Sequence, residues 1–165
     1  MHRFYAGWDS YNDQIVSVVR DLTPDQLAIR PAPDRWPVWA TLGHIAGVRI
    51  YWLCGVLDEP GAEDTPFTAP WSTTGWEDDL DHARTSVELV EALETTWDVV
   101  DGCLRRWTPD MLAERFIRAD GGPWHSRQSV LMRLLTHDAY HSGELSQTLG
   151  VHGLRQIDLW APESG

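Results

Sequence analysis

A chain of 165 residues and 18.7 kDa is the size of one ordinary domain, long enough to bury a core without disulfides or a structural metal, and a single domain spanning 1–165 is expected. Its 25 acidic against 13 basic residues leave a net charge of −12, which argues against a phosphate-backbone partner such as nucleic acid. All 13 basic residues are arginine, so lysine Schiff-base, pyridoxal, P-loop and lysine-base chemistry is closed, and proton traffic must run through His, Asp, Glu, Tyr, Cys or a metal.

The first residues lack the apolar run of a secretory signal. The longest apolar stretch, Ile45 to Leu57, carries Arg49 and is shorter than the roughly 20 residues of a membrane-spanning helix. A cytoplasmic protein with no membrane partner is therefore expected. Phe4, Trp8, Tyr11, Ile15, Val18 and Leu22 recur every three or four residues and predict a first helix over 3–21. Pro37 suits the first turn of a second, mostly apolar helix, which runs to Leu57 and is stopped by Pro60 and Gly61. Asp58 to Trp76, rich in Pro, Gly, Thr and acid, reads as a long loop. Thr85 and Glu88 have capping-box spacing, and Val90, Leu93, Trp97, Val100, Leu104 and Trp107 then predict a third helix over 85–107. A fourth runs from Ser126 to Gly150. Four such helices with almost no strand pattern predict an all-α fold, a four-helix bundle. Cys54 and Cys103 lack C-x-x-C spacing and read as small buried apolar residues. The ten tryptophans read as core or interface filler.

The segment Thr23 to Arg30 is echoed by Thr108 to Arg115, with six of eight positions alike. Each copy follows a long amphipathic helix and precedes a tryptophan and a helix with a central histidine. Chance repetition of a helix-start signal explains this, as does a pseudo-two-fold arrangement in which the second and fourth helices face each other.

His137 and His141 are one turn apart on the fourth helix, the spacing by which two imidazoles bind one ion. With Glu144 and Thr148 they form a stripe expected to face the bundle interior; the plainer reading is a pair of hydrogen-bonded core histidines. His44 lies within the second helix between Gly43 and Gly47, which would let another helix or a ligand approach closely. If those two helices face each other, three neutral imidazoles meet and leave an ion one open position, the catalytic pattern. Zinc, nickel, iron(II) and cobalt all accept such ligands. Around this centre Glu144 is read as a base, an orienting partner of a histidine, or an arginine's counter-ion. Tyr51 is read as a proton donor or a core tyrosine, and Arg133 as a clamp for a carboxylate or an exposed helix edge. Asp138 points elsewhere and suits a surface or inter-helix salt bridge rather than catalysis. His2, His82, His125 and His152 have no partner at ligand spacing. No Gly-x-Ser-x-Gly and no Glu-x-x-His occurs, which sets aside hydrolase-triad and di-iron readings.

Trp36-Pro37-Val38 leading to Leu42-Gly43-His44-Ile45-Ala46, and later His137-Asp138-Ala139-Tyr140-His141-Ser142-Gly143-Glu144, resemble the DinB/YfiT-like superfamily of bacterial metal-binding four-helix bundles. The resemblance covers essentially the whole chain. It implies an up-down-down-up bundle, a divalent metal, zinc or nickel, on His44, His137 and His141, and commonly a homodimer. It also implies thiol-dependent chemistry, since members include mycothiol- and bacillithiol-dependent transferases and maleylpyruvate isomerases. The family often has Arg and then Gly-Gln after the second motif histidine, where this chain has Ser142, Gly143 and Glu144. Two functions follow as expectations. One is a metalloenzyme activating a thiol for S-transfer to a small molecule, or water for hydrolysis. The other is a non-catalytic dimeric bundle with a structural or ligand-sensing ion.

Overall fold

Gly7 decides how the chain begins. In the computed structural model, which describes residues 2–67, 75–117 and 121–160 and of His2 the backbone alone, Gly7 has φ 94°. Without a Cβ it enters this left-handed region unstrained. The predicted first helix is thereby split into a 3-10 turn at His2–Tyr5 and α1 at Trp8–Val19. Phe4 is 80% exposed as a result, while Trp8, Ile15, Val18 and Leu22 of the same stripe are buried. Thr23 and Gln26 cap each other's backbone to open the short α2, Pro24–Leu27, and the echoed segment likewise forms one 3-10 turn, Asp110–Ala113.

The second predicted helix is α3, Val38–Ile50, continued by a π-helical segment at Tyr51–Val56. The third is α4, Ser86–Arg106, opened by the Thr85/Glu88 capping box, and the fourth is α5, Arg127–Val151, capped by Ser126. One feature differs from the sequence reading. A two-stranded antiparallel hairpin, β1 (Arg115–Ile117) and β2 (Trp124–Ser126), sets Phe116 opposite His125 just before α5. Strands of three residues are too short for alternation to register as a pattern.

Two layers of core give the helices their directions. One layer joins the end of α1 (Ile15 to Val19), the start of α3 (Val38 to Ala46), the start of α4 (Leu89, Leu93) and the end of α5 (Leu145, Leu149). The other joins Trp8, the segment Ile50 to Leu57, the end of α4 (Val99 to Leu104) and the start of α5 (Val130 to Leu134). The helices therefore run up, down, down and up. Neighbours α3 and α4 are parallel, which requires the long connection between them. Residues 68–74 of that predicted loop lie outside the described residues. On either side of them Phe67 and Trp76 stack at 5.0 Å and lie on α3. A Cβ on Gly43 would stand 3.0 Å from Trp76, and one on Gly47 3.2 Å from Phe67. These glycines therefore admit the connection, where the sequence suggested a helix or a ligand. Among the described residues, no helix is long and apolar enough to cross a membrane.

Candidate metal centre

Antiparallel α3 and α5 bring His44 against both histidines of α5. The ring centroids of His44, His137 and His141 are separated by 4.8, 5.1 and 4.4 Å, and one nitrogen from each can be chosen so that all three lie within 4.8 Å of one another. Nε2 of His44 faces Nε2 of His137 at 3.0 Å, close to the roughly 3.3 Å between two donors of a tetrahedral ion with bonds of about 2.0–2.1 Å. The outer nitrogens of two rings are taken. His44 Nδ1 donates to Glu77 Oε1 at 2.5 Å, and His141 Nδ1 donates to Glu144 Oε2 at 2.6 Å. An ionised carboxylate only accepts, so each bond places the proton on Nδ1 and turns Nε2 inward as a lone pair. This donor set fits a divalent ion.

The line of α5 that faces the bundle centre is Leu131, Leu134, Asp138, Ser142, Leu145 and Leu149, all buried. The histidines sit beside that line, half-buried in the seam with α3 under the Glu77 turn, so the expected inward stripe is rotated to the flank. Burial, followed by the charges of His141, His44, Arg49 and Arg133, pushes His137 down to about 3. Burial also lowers His141, partly offset by Glu144. Both rings are thus neutral near pH 7, the form that binds metal.

This has a consequence for acid stability. In the unfolded chain the His137 imidazole titrates near 6.5. Between that value and about 3 the unfolded state takes up a proton that the native ring refuses. The metal-free protein should therefore lose stability as pH falls below 6.5, by up to about 1.4 kcal/mol per pH unit from His137. Urea midpoints at pH 7.5, 6 and 5 check this, and His137→Asn should flatten the decline.

The other predicted residues are placed as follows. Glu144 is beside His141, bonded to its Nδ1. Arg133 is exposed, lies over the Trp52 ring at 4.7 Å, and is near enough to His137 for its charge to act there. Tyr51 stands two turns from His44, about 10 Å along the axis, with its ring edge-on to Trp52 at 5.4 Å. Asp138 forms a buried inter-helix pair with Arg49 at 2.9 Å. Exposed His82 bonds Asp79, His125 packs on Trp52, and His152 bonds the Thr148 carbonyl at the end of α5. Cys54 and Cys103 are buried free thiols that burial pushes up to about 11 and about 12, so neither is a ready nucleophile. Trp36 packs on His44 at 5.0 Å and Tyr140 on His141 at 5.0 Å, and a groove of about 740 Å³ lined by both, with Arg35 and Thr148, reaches His141 and Glu144. Glu77 is the residue that sequence reasoning missed. It sits in an acidic, aperiodic connection, and only His44's need for a partner hinted at it.

Comparison with known proteins agrees with this architecture. Residues 9–145 match the DinB superfamily. A DinB-like protein from Bacillus cereus is similar at a TM-score of 0.68 and 17% identity, over 96% of this chain and 95% of that one. A DinB-like protein from Bacillus subtilis is similar at 0.65 and 13%, over 98% and 99%. At such identities the structures speak for the fold alone. No curated protein matches the chain. With the family match spanning most of its length and the bundle reproduced end to end, the chain belongs to the DinB superfamily.

Proposed function

We propose that the protein acts on a small-molecule substrate as a metal-dependent enzyme, holding a divalent ion, zinc or nickel, on His44, His137 and His141. When bound, such an ion lowers the pKa of a thiol or of water, which supports S-transfer from a low-molecular-weight thiol such as mycothiol or bacillithiol, or hydrolysis. The reading is carried by one observation: three imidazoles converge while the nearby carboxylates Glu77 and Glu144 are spent on the outer nitrogens of His44 and His141. That leaves three imidazole donors and no fourth protein ligand in the group, among the described residues, a set suited to an exchangeable partner rather than to a closed structural site. The chain's own residues then have distinct tasks. Glu77 and Glu144 hold two ligands in one tautomer, Arg133 places positive charge near His137 and so favours an anionic nucleophile, and the groove beside His141 admits the substrate. The choice of S-transfer over hydrolysis follows the family's thiol-dependent members.

Elemental analysis of the purified protein tests the metal. About one equivalent per chain is expected, and less than about one-tenth after growth with ample zinc or nickel would sink the proposal. A thiol-consumption screen with mycothiol, bacillithiol and glutathione, with His44→Ala as control, then tests the chemistry. Glu77→Gln should weaken metal binding about 10- to 100-fold with little change in melting temperature, as read by competition with a chromophoric chelator.

A further inference from the structure

Below the histidines, all four long helices meet in one buried polar cluster. Arg49 of α3, whose side chain is 0% exposed, donates through Nη2 to Asp138 Oδ2 of α5 at 2.9 Å. Its Nη1 donates to Asn12 Oδ1 of α1 at 2.8 Å and to the Leu93 carbonyl of α4 at 3.2 Å, with Thr96 Oγ1 at 3.5 Å. The indole N–H of Trp8, also on α1, donates to the same Asp138 oxygen at 3.0 Å. Nothing in the chemistry proposed above uses these groups.

Net stability is a weak reason for such a pair. Desolvating two charges offsets most of their attraction, and apolar residues of the same volume commonly do as well or better. An ion pair has what an apolar contact lacks, namely direction and register. Asp138 follows His137 directly and precedes His141 by three, so its carboxylate is fixed about 100° around α5 from one ligand and about 60° from the other. Two donors from two other helices converge on one oxygen of that carboxylate, which admits one rotation of α5 and one height along it. If α5 turned by one residue, Asp138 would leave Arg49 and both histidines would leave His44 together. Apolar Leu134, Leu145 and Leu149 slide past their neighbours far more easily.

We propose that Arg49 and Asp138 are positioning residues of the metal centre, setting the rotation and height of α5 against α3 so that the three imidazoles meet. This rests on the metal-centre reading above. The test is cobalt(II) binding by the Arg49→Met/Asp138→Asn double variant. This pair removes both charges, so no ion is left unpaired in the core, and the amide keeps an acceptor for Trp8. Leu104→Ala, in the core layer that also holds Trp8, serves as a destabilised variant that removes none of the cluster's hydrogen-bonding groups.

If the proposal is right, the double variant unfolds cooperatively yet binds cobalt(II) about 10-fold or more weakly, with altered visible d–d bands, while Leu104→Ala keeps wild-type affinity and bands. Should the double variant not fold, Trp8→Phe, which removes one of the two donors to Asp138 Oδ2 and keeps both charges paired, shows the same changes in smaller measure. Wild-type affinity and bands in the charge-free variant would overturn the proposal and leave the metal centre standing, as would an equal loss in Leu104→Ala. Failure of the wild-type protein to bind cobalt(II) would overturn both.

Discussion

Replacing His44, His137 or His141 by alanine is expected to cut the metal content from about one equivalent per chain to below about one-tenth, with the bundle intact. Three donors are the whole protein share of the proposed site, so removing one leaves two imidazoles and no replacement among the described residues. The fold tolerates the change because none of the three rings belongs to the core. The side chains of His44 and His141 are 20% and 12% exposed, and the rings lie in a seam covered by the Glu77 turn. Below pH 6.5, loss of His137 also removes a group whose burial opposes its protonation. Elemental analysis beside thermal melts of the metal-free proteins checks this. A variant that loses metal only by unfolding would contradict it.

A larger effect on stability is expected at the centre of the bundle. Arg49→Met should destabilise the protein by about 3–5 kcal/mol, because Asp138, 1% exposed, would be left buried without its counter-ion. Its other oxygen, Oδ1, already has no hydrogen-bond partner among the described residues, so there is no local substitute. For a chain of 165 residues this is a fall in melting temperature of about 10 °C. Adding Asp138→Asn should recover most of it, since the cost lies in the orphaned charge rather than in lost attraction. Chemical denaturation of the two singles and the double gives the coupling directly. Simple additivity of the two losses would contradict the account.

What could be read from the sequence was whatever repeats along the chain. The 3-and-4 spacings of Trp8 to Leu22 and Leu93 to Trp107, the Thr85/Glu88 box and the Ser126 cap are local signals, and the helices they announce are present. His44, His137 and His141 were legible for the same reason, since two share a turn and the third stands out in an apolar helix. Glu77 was not, because it reaches His44 from a segment with no period of its own. The exact facing of α5 was also hidden. Its inward line carries Asp138 and Ser142 as well as leucines, so hydrophobicity alone pointed to a neighbouring stripe. Arg49 was visible as a charge in an apolar run, but its partners lie on three other helices. The break at Gly7 depends on a backbone angle that the apolar spacing on either side does not reveal.

The cluster around Arg49 also bears on the order in which the chain can fold. Trp8 and Asp138 are 130 residues apart, yet both are needed to satisfy the centre. A growing polypeptide that has released α1, α3 and α4 from the ribosome holds a buried guanidinium with no carboxylate to meet it. Such a three-helix species should stay loosely packed and susceptible to protease until the last helix emerges. Consolidation of the interior and assembly of the three-histidine centre are then one late event, completed by the arrival of the same helix.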